Sequence, residues 1–229
     1  MDWKTIQQNL QNATGFVLTM EGAVGKSKTI TLKMMESDQM LTFETLGSGS
    51  MKRVVRVNEG SWVLALAGDS SKAAADMLGE VRTLIKLSRE GIRVPDPFPM
   101  GVENKIIFNF NVYNDDVGET KTYPAFLQQY LQGQEMDKLK EKRNFAKDFI
   151  LNTGLPENID TTVSDLTNIL KVLVVWEWGD FQVIYQKETG FMYVFDPLPE
   201  NNSGTPFAPL VRRWLADIDE AKTKAHTKV

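Results

Sequence analysis

Leu46-Gly47-Ser48-Gly49-Ser50-Met51-Lys52-Arg53-Val54-Val55-Arg56 sets two glycines among small serines, then a lysine, then β-branched residues. That order reads as strand, tight turn, strand. The glycines let backbone N–H groups approach an anion with no Cβ in the way. The Lys52 ammonium can point at the same anion. Gly47, Ser48, Gly49, Ser50 and Lys52 are therefore expected to form a flap over the phosphates of a nucleoside triphosphate. Gly-Ser turns also close ordinary hairpins, so the stretch takes its meaning from its surroundings.

On its N-terminal side, residues 16–20 and 29–34 read as strands, residues 40–46 lead into the loop, and residues 1–12 read as a short helix. On its C-terminal side, residues 51–57 and 61–67 form a hairpin turned at Asn58-Glu59-Gly60. Residues 70–90 change period: Met77, Val81, Leu84 and Ile85 recur at spacings of three and four, which predicts a helix. Ser70 or Ser71 is its expected N-cap, Gly91 its end, and Pro95 and Pro97 prevent resumption. Residues 105–113 return to strand, and the polar stretch 114–122 reads as a linker. From Tyr123 the chain is expected to be mostly helical, over 123–132, 135–151 and 163–176, with a break at Gly154-Leu155-Pro156. Two short strands, 181–185 and 191–195, join through Lys187-Glu188-Thr189-Gly190, and a last helix runs from about Thr205-Pro206 to Ala221. The predicted organisation is an N-terminal extension over 1–39, a β-rich lobe with one helix over 40–116, and a helical lobe with an inserted hairpin over 117–229.

Composition narrows the chemistry. The 229 residues carry a net charge of −4 and no basic run, which argues against nucleic acid as a partner. There is no cysteine, so disulfides, thiolate metal sites and a thiol nucleophile are excluded. The single histidine, His226, sits in a polar C-terminal stretch, far from any pattern of a histidine triad or metal cluster. Chemistry must then rest on carboxylates, amides, lysine or arginine. No apolar run approaches the ~20 residues of a membrane span. The start of the chain lacks the basic-then-apolar pattern of a secretory signal. The expected location is the cytoplasm where the protein is made, with export into a host cytosol by a signal-independent route also compatible.

Three further motifs complete a pattern around the loop. Glu80 sits in the apolar stripe of the 70–90 helix, with Met77 before it and Leu84 and Leu87 after it. Trp178-Gly179-Asp180-Phe181-Gln182 precedes the first strand of the late hairpin, and Tyr193-Val194-Phe195-Asp196-Pro197 ends the second. Two carboxylates set about one strand–turn–strand are an arrangement that can meet at a magnesium-phosphate site. Gly22-Ala23-Val24-Gly25-Lys26-Ser27 looks like a Walker A loop, but its first glycine is misplaced and strand-like sequence follows, so it reads as a hairpin turn.

With these elements in order, the chain resembles the protein kinase-like fold from about Met40 to Asp196. The loop resembles a kinase glycine-rich loop without its third glycine. The third strand, Trp62-Val63-Leu64-Ala65-Leu66-Ala67, has no lysine. The pattern is similar to that of the with-no-lysine kinases, whose phosphate-binding lysine has moved to the strand after the loop, and Lys52 matches that residue. Glu80 matches the helix glutamate that orients the lysine, and Asp180 the catalytic aspartate. Gln182 stands where a shortened loop would place the metal-binding amide, and Asp196-Pro197 replaces the start of the Asp-Phe-Gly motif.

The resemblance implies an α+β, two-lobed kinase-like fold with an antiparallel β N-lobe, one helix, and a reduced helical C-lobe. It implies ATP and Mg as cofactors, with Gln182 and Asp196 as metal ligands and the backbone near Val112 and Tyr113 as the adenine-binding hinge. The short chain after Asp196 lacks an activation segment and its Ala-Pro-Glu anchor, as in minimal kinases among secreted bacterial effectors. The expected function is a protein Ser/Thr kinase with a protein substrate, to be sought among host proteins. Alternatives are a pseudokinase binding module and a small-molecule kinase.

Overall fold

The computed structural model describes residues 16–19, 29–34, 40–48, 52–57, 61–68, 70–95, 107–114, 118–135, 154–175, 182–197 and 207–226. The fold is α+β, and the chain forms two compact units. The first comprises residues 1–81 with 96–130, the second 82–95 with 131–229.

In the first unit seven strands close into a barrel: β1 (Phe16–Thr19), β2 (Thr29–Met34), β3 (Met40–Ser48), β4 (Lys52–Val57), β5 (Trp62–Ala67), β6 (Phe108–Asn114) and β7 (Glu119–Gln129). Their order is β1-β2-β3-β4-β5-β7-β6, with β6 returning to β1. Only that closing pair is parallel, with Phe16 opposite Val112 and Val17 opposite Tyr113. Alternation decides which side chains enter the barrel. On β4 the branched Val55 and Val57 point in, and they meet Leu41, Phe43, Leu64, Phe110, Ala125 and Leu127 in one apolar core. Closure covers the two edges that an open sheet would leave unpaired. Strands β1 and β2, from the stretch before residue 40, supply it.

Strand β7 corrects the helix expected over 123–132. Its first half pairs with β6, from Glu119 opposite Asn114 to Ala125 opposite Phe108. Its second half pairs with β5, from Ala125 opposite Leu66 to Gln129 opposite Trp62. Pro124 falls just before the β5 ladder begins, so its missing N–H removes no bond on that side. Residues 125–128 are all buried, which means both faces of the strand are covered there. Such a strand shows no alternation, and a short continuous apolar run does not separate strand from helix. The polar stretch 114–122, expected as a linker, is largely strand: Asn114 ends β6, Glu119–Thr122 begin β7 just after Gly118 at φ 66°, and the chain passes to the second unit at Tyr130/Leu131.

Helix α1 (Ser71–Arg89) starts in the first unit, where the Ser70 hydroxyl accepts from the Ala73 N–H at 3.1 Å, and its last turns belong to the second. It ends at Gly91, φ 78°, with the Ile92 N–H on the Leu87 carbonyl and the Gly91 N–H on the Ser88 carbonyl. This is a Schellman ending, and Leu87 and Ile92 lie in the same core cluster, as that motif favours. The second unit adds β8 (Gln134–Glu135), α2 (Ile159–Val175), β9 (Gln182–Gln186), β10 (Phe191–Phe195) and α3 (Phe207–His226). Its sheet runs β10-β9-β8. Leu166 and Ile169 of α2, Val183 and Tyr185 of β9, Met192 and Val194 of β10, and Trp214 and Ile218 of α3 share its core. The helix expected over 1–12, the stretch 22–27 and residues 136–151 of the helix expected over 135–151 lie outside the described residues, and Glu135 belongs to β8. Among the described residues no helix is long and apolar enough to cross a membrane.

Candidate functional site

The glycine loop is mounted on a β-bulge. Strand β3 pairs with β4 in register up to Thr45 opposite Val55, then resumes with Gly47 opposite Val54, which leaves Leu46 as the extra residue. A bulge shifts the alternation by one, so residues beyond it change face. Gly47 thereby joins the face that carries Val54, away from the barrel core. Gly47 and Ser48 end β3 and Lys52 begins β4; Gly49 and Ser50 lie outside the described residues.

Cross-strand partners share a face. Lys52 lies opposite Ala67 on β5, Val54 opposite Ala65, and Arg56 opposite Val63. Ala65 and Val63 lie in turn opposite Phe126 and Gln128 on β7. The outer barrel face is thus built in rows: Lys52 and Ala67; Gly47, Val54, Ala65 and Phe126; Glu44, Arg56, Val63 and Gln128. Val63, Ala65, Ala67, Phe126 and Gln128 are all buried.

Helix α1 delivers a carboxylate to this face. Ala73, Met77, Val81 and Leu84 are its buried stripe, and Glu80 lies within that stripe at 2% exposure. The Lys52 Nζ is 2.6 Å from Glu80 Oε1, a charge-assisted hydrogen bond between residues 28 apart in sequence. Burying a carboxylate is costly unless it is paired. The pair is poor evidence for stability as such, because well-packed apolar residues often serve as well or better. Its chemical yield is a lysine ammonium held in one place at the start of β4.

In the second unit, β9 and β10 pair from Gln186 opposite Phe191 to Gln182 opposite Phe195. Gln182 and Asp196 therefore sit at the same end of this hairpin, one position apart in register. Asp196 adopts φ 49°, the left-handed conformation that aspartate enters more readily than most residues. Asp180 lies outside the described residues. Both described groups offer oxygen donors, which suits Mg²⁺, an ion that binds few protein ligands and keeps waters and phosphate oxygens for the rest. Among the described residues no group of three or more histidine, cysteine, aspartate or glutamate side chains is placed to hold a metal unaided.

The strand that leads into Asp196 is fixed by a second buried carboxylate that the motifs did not reveal. Asp165 of α2 accepts from the Met192 N–H at 3.1 Å and from Arg93 Nε at 2.9 Å, both on Oδ2. The Arg93 carbonyl accepts from the Val194 N–H at 2.9 Å, and its guanidinium lies 3.8 Å from the Phe191 ring centroid. The exit of α1 is thus laid along β10. In sequence the signal is faint: one aspartate in an apolar helix, at the helical spacing of its buried neighbours Thr162 and Ile169.

The base-binding hinge expected near Val112 and Tyr113 has a different setting. These residues stand mid-strand in β6, with β1 on one side and β7 on the other. Both edges of the backbone face a neighbouring strand there, and the crossing to the second unit comes later, after β7. A strand followed by a polar stretch looked like a lobe boundary; tertiary pairing made it the middle of a barrel.

Compared with protein-family models, curated proteins and solved structures, the chain matches none.

Proposed function

We propose that the chain is an ATP- and Mg-dependent phosphotransferase of the kinase-like type, transferring the terminal phosphoryl group to a hydroxyl, with a protein Ser/Thr hydroxyl favoured as acceptor. The observation that carries this reading is the Lys52–Glu80 ion pair at 2.6 Å. Kinases hold a third-strand lysine, in a Val-Ala-Ile-Lys pattern, against a helix glutamate. Here Leu64-Ala65-Leu66-Ala67 occupies the third strand after the loop begins, with alanine in the place of lysine, and Lys52 is the cross-strand partner of that alanine. A four-carbon stem from the adjacent strand can bring an ammonium to the same region.

In this reading Gly47 and the loop backbone approach the phosphates while Lys52 neutralises their charge. Glu80 fixes the lysine. Asp180 would accept the proton of the acceptor hydroxyl, and Gln182 and Asp196 would hold the metal. Bound Mg²⁺ supplies charge neutralisation on the phosphate oxygens. Transfer then depends on positioning and electrostatics rather than on a covalent enzyme intermediate.

The test is incubation of the pure full chain with γ-labelled ATP and Mg²⁺, alone and with a cell lysate. Label on protein hydroxyls is expected, and it should vanish in Asp196→Ala. Wild-type transfer in that variant sinks the assignment. Label confined to small molecules selects a small-molecule kinase, and ATP binding without any transfer selects a pseudokinase.

A further inference from the structure

The end of β10 is held on both edges, and the hold stops next to the two candidate metal ligands. Toward β9 the last ladder pair is Phe195 opposite Gln182, and Asp196 follows it directly. In its sheet β10 pairs only with β9, so its other edge would leave backbone N–H groups open. Met192 and Val194 are two apart, and their N–H groups leave that same edge. Each has an acceptor from outside the sheet: Asp165 Oδ2 at 3.1 Å for Met192, and the Arg93 carbonyl at 2.9 Å for Val194.

Asp165 ties the two acceptors together. The same Oδ2 accepts from Arg93 Nε at 2.9 Å. One oxygen therefore fixes β10 and also the residue whose carbonyl fixes β10 two positions on. Arg93 is held a second time by its guanidinium against the Phe191 ring. Stability alone is a poor reason for this arrangement: Asp165 is 8% exposed, and well-packed apolar groups often serve as well as a buried ion pair. What a carboxylate adds over an apolar group is two directed bonds that set the position of a strand. Position matters most at Asp196, where the chain turns into the left-handed region at φ 49°. A metal-binding constellation tolerates displacement of only about 0.5 Å.

Resting on the phosphotransferase reading above, we propose that Asp165 is a positioning residue for the metal: by holding Met192 directly and Val194 through Arg93, it fixes the end of β10 and keeps Asp196 in register with Gln182. Without it the outer edge of β10 loses its anchor, and the last residues of the strand are free to shift.

Mn²⁺ binding to the full chain tests this, read from the electron paramagnetic resonance of free Mn²⁺ in the presence of a non-hydrolysable ATP analogue. The wild type is expected to bind Mn²⁺, and Asp196→Ala to lose it. Asp165→Asn keeps the size of the side chain but not its charge. It should weaken Mn²⁺ about tenfold, the usual effect of losing a group that orients a metal ligand. Arg93→Gln, at a partly exposed position, should act in the same direction, and it carries the test if Asp165→Asn does not fold. Affinity for the analogue in EDTA should stay at the wild-type value in both. Ile218→Ala opens a cavity in the same core without removing either bond. It should lower the melting temperature and leave Mn²⁺ affinity unchanged. Wild-type Mn²⁺ affinity in the folded variant overturns the proposal and leaves the phosphotransferase reading standing. So does an equal weakening in Ile218→Ala, or a loss of analogue affinity in EDTA as large as the loss of Mn²⁺. A wild-type protein that binds no Mn²⁺ with the analogue overturns the proposal together with the reading on which it rests.

Discussion

Glu80 is a carboxylate among alanine, methionine, valine and leucine, and its burial makes it dependent on Lys52. Lys52→Ala should therefore cost more than a surface lysine does. Removing one partner of a buried pair is expected to cost about 3–5 kcal/mol. Urea denaturation should show this as a lower midpoint with an unchanged slope. The double variant Lys52→Met/Glu80→Leu should regain most of the loss, since an apolar pair suits the site, yet bind no triphosphate. Recovery of stability without recovery of ATP binding separates the structural role of the pair from its chemical one. A Lys52→Ala protein as stable as wild type would show that Glu80 does not depend on the lysine. Both residues were legible in the sequence, one from its glycine-rich neighbourhood and one from its misfit in an apolar stripe. Asp165 was not, because its meaning lies in partners made across chain distances that no local pattern records.

At the scale of elements, two glycines with similar backbone conformations are predicted to respond differently to alanine. Gly91, φ 78°, closes α1, and an added Cβ would meet nothing within 4 Å. Gly91→Ala should cost only the left-handed conformation, roughly 1–2 kcal/mol. Gly190, φ 71°, closes the β9–β10 turn, where a Cβ would come within 2.5 Å of the Asn158 carbonyl oxygen at the start of α2. Its own carbonyl also accepts from the Thr162 hydroxyl at 2.8 Å. Gly190→Ala must displace backbone as well as bear the strain, so its denaturation midpoint should fall well below that of Gly91→Ala. Equal midpoints would mean that the turn and helix α2 give way freely. The helix α1, its serine cap and its glycine end could be read from sequence because each is a local signal. The same holds for the β9–β10 hairpin and its four-residue turn. Strand β7 could not, since its covered faces erase the alternation by which a strand is recognised.

At the scale of the molecule, the second unit should lose stability in alkali. Burial pushes the Tyr185 phenol above its ordinary value, and burial does the same to Tyr193 against the pull of the Arg93 guanidinium. A phenolate is penalised in the fold but not in the unfolded chain. The folded-state pKa therefore exceeds the unfolded one. Stability from these groups is complete below the unfolded value of about 10 and is lost as pH rises through the folded one. Tyr185→Phe should flatten the fall in denaturation midpoint above that pH, and an unchanged slope would place the alkaline sensitivity elsewhere. The α+β class, the order of most elements, the glycine-rich stretch with its lysine, and the candidate carboxylates are legible in the chain alone, because these are written in local spacing and residue type. Tertiary structure alone decided that β1 and β2 close a barrel, that β6 is an inner strand rather than the edge of a lobe, and that Lys52 lies opposite Ala67 and against Glu80. Those outcomes depend on register and on pairing between distant segments, and a one-residue bulge at Leu46 was enough to bring Gly47 to the face on which the lysine stands.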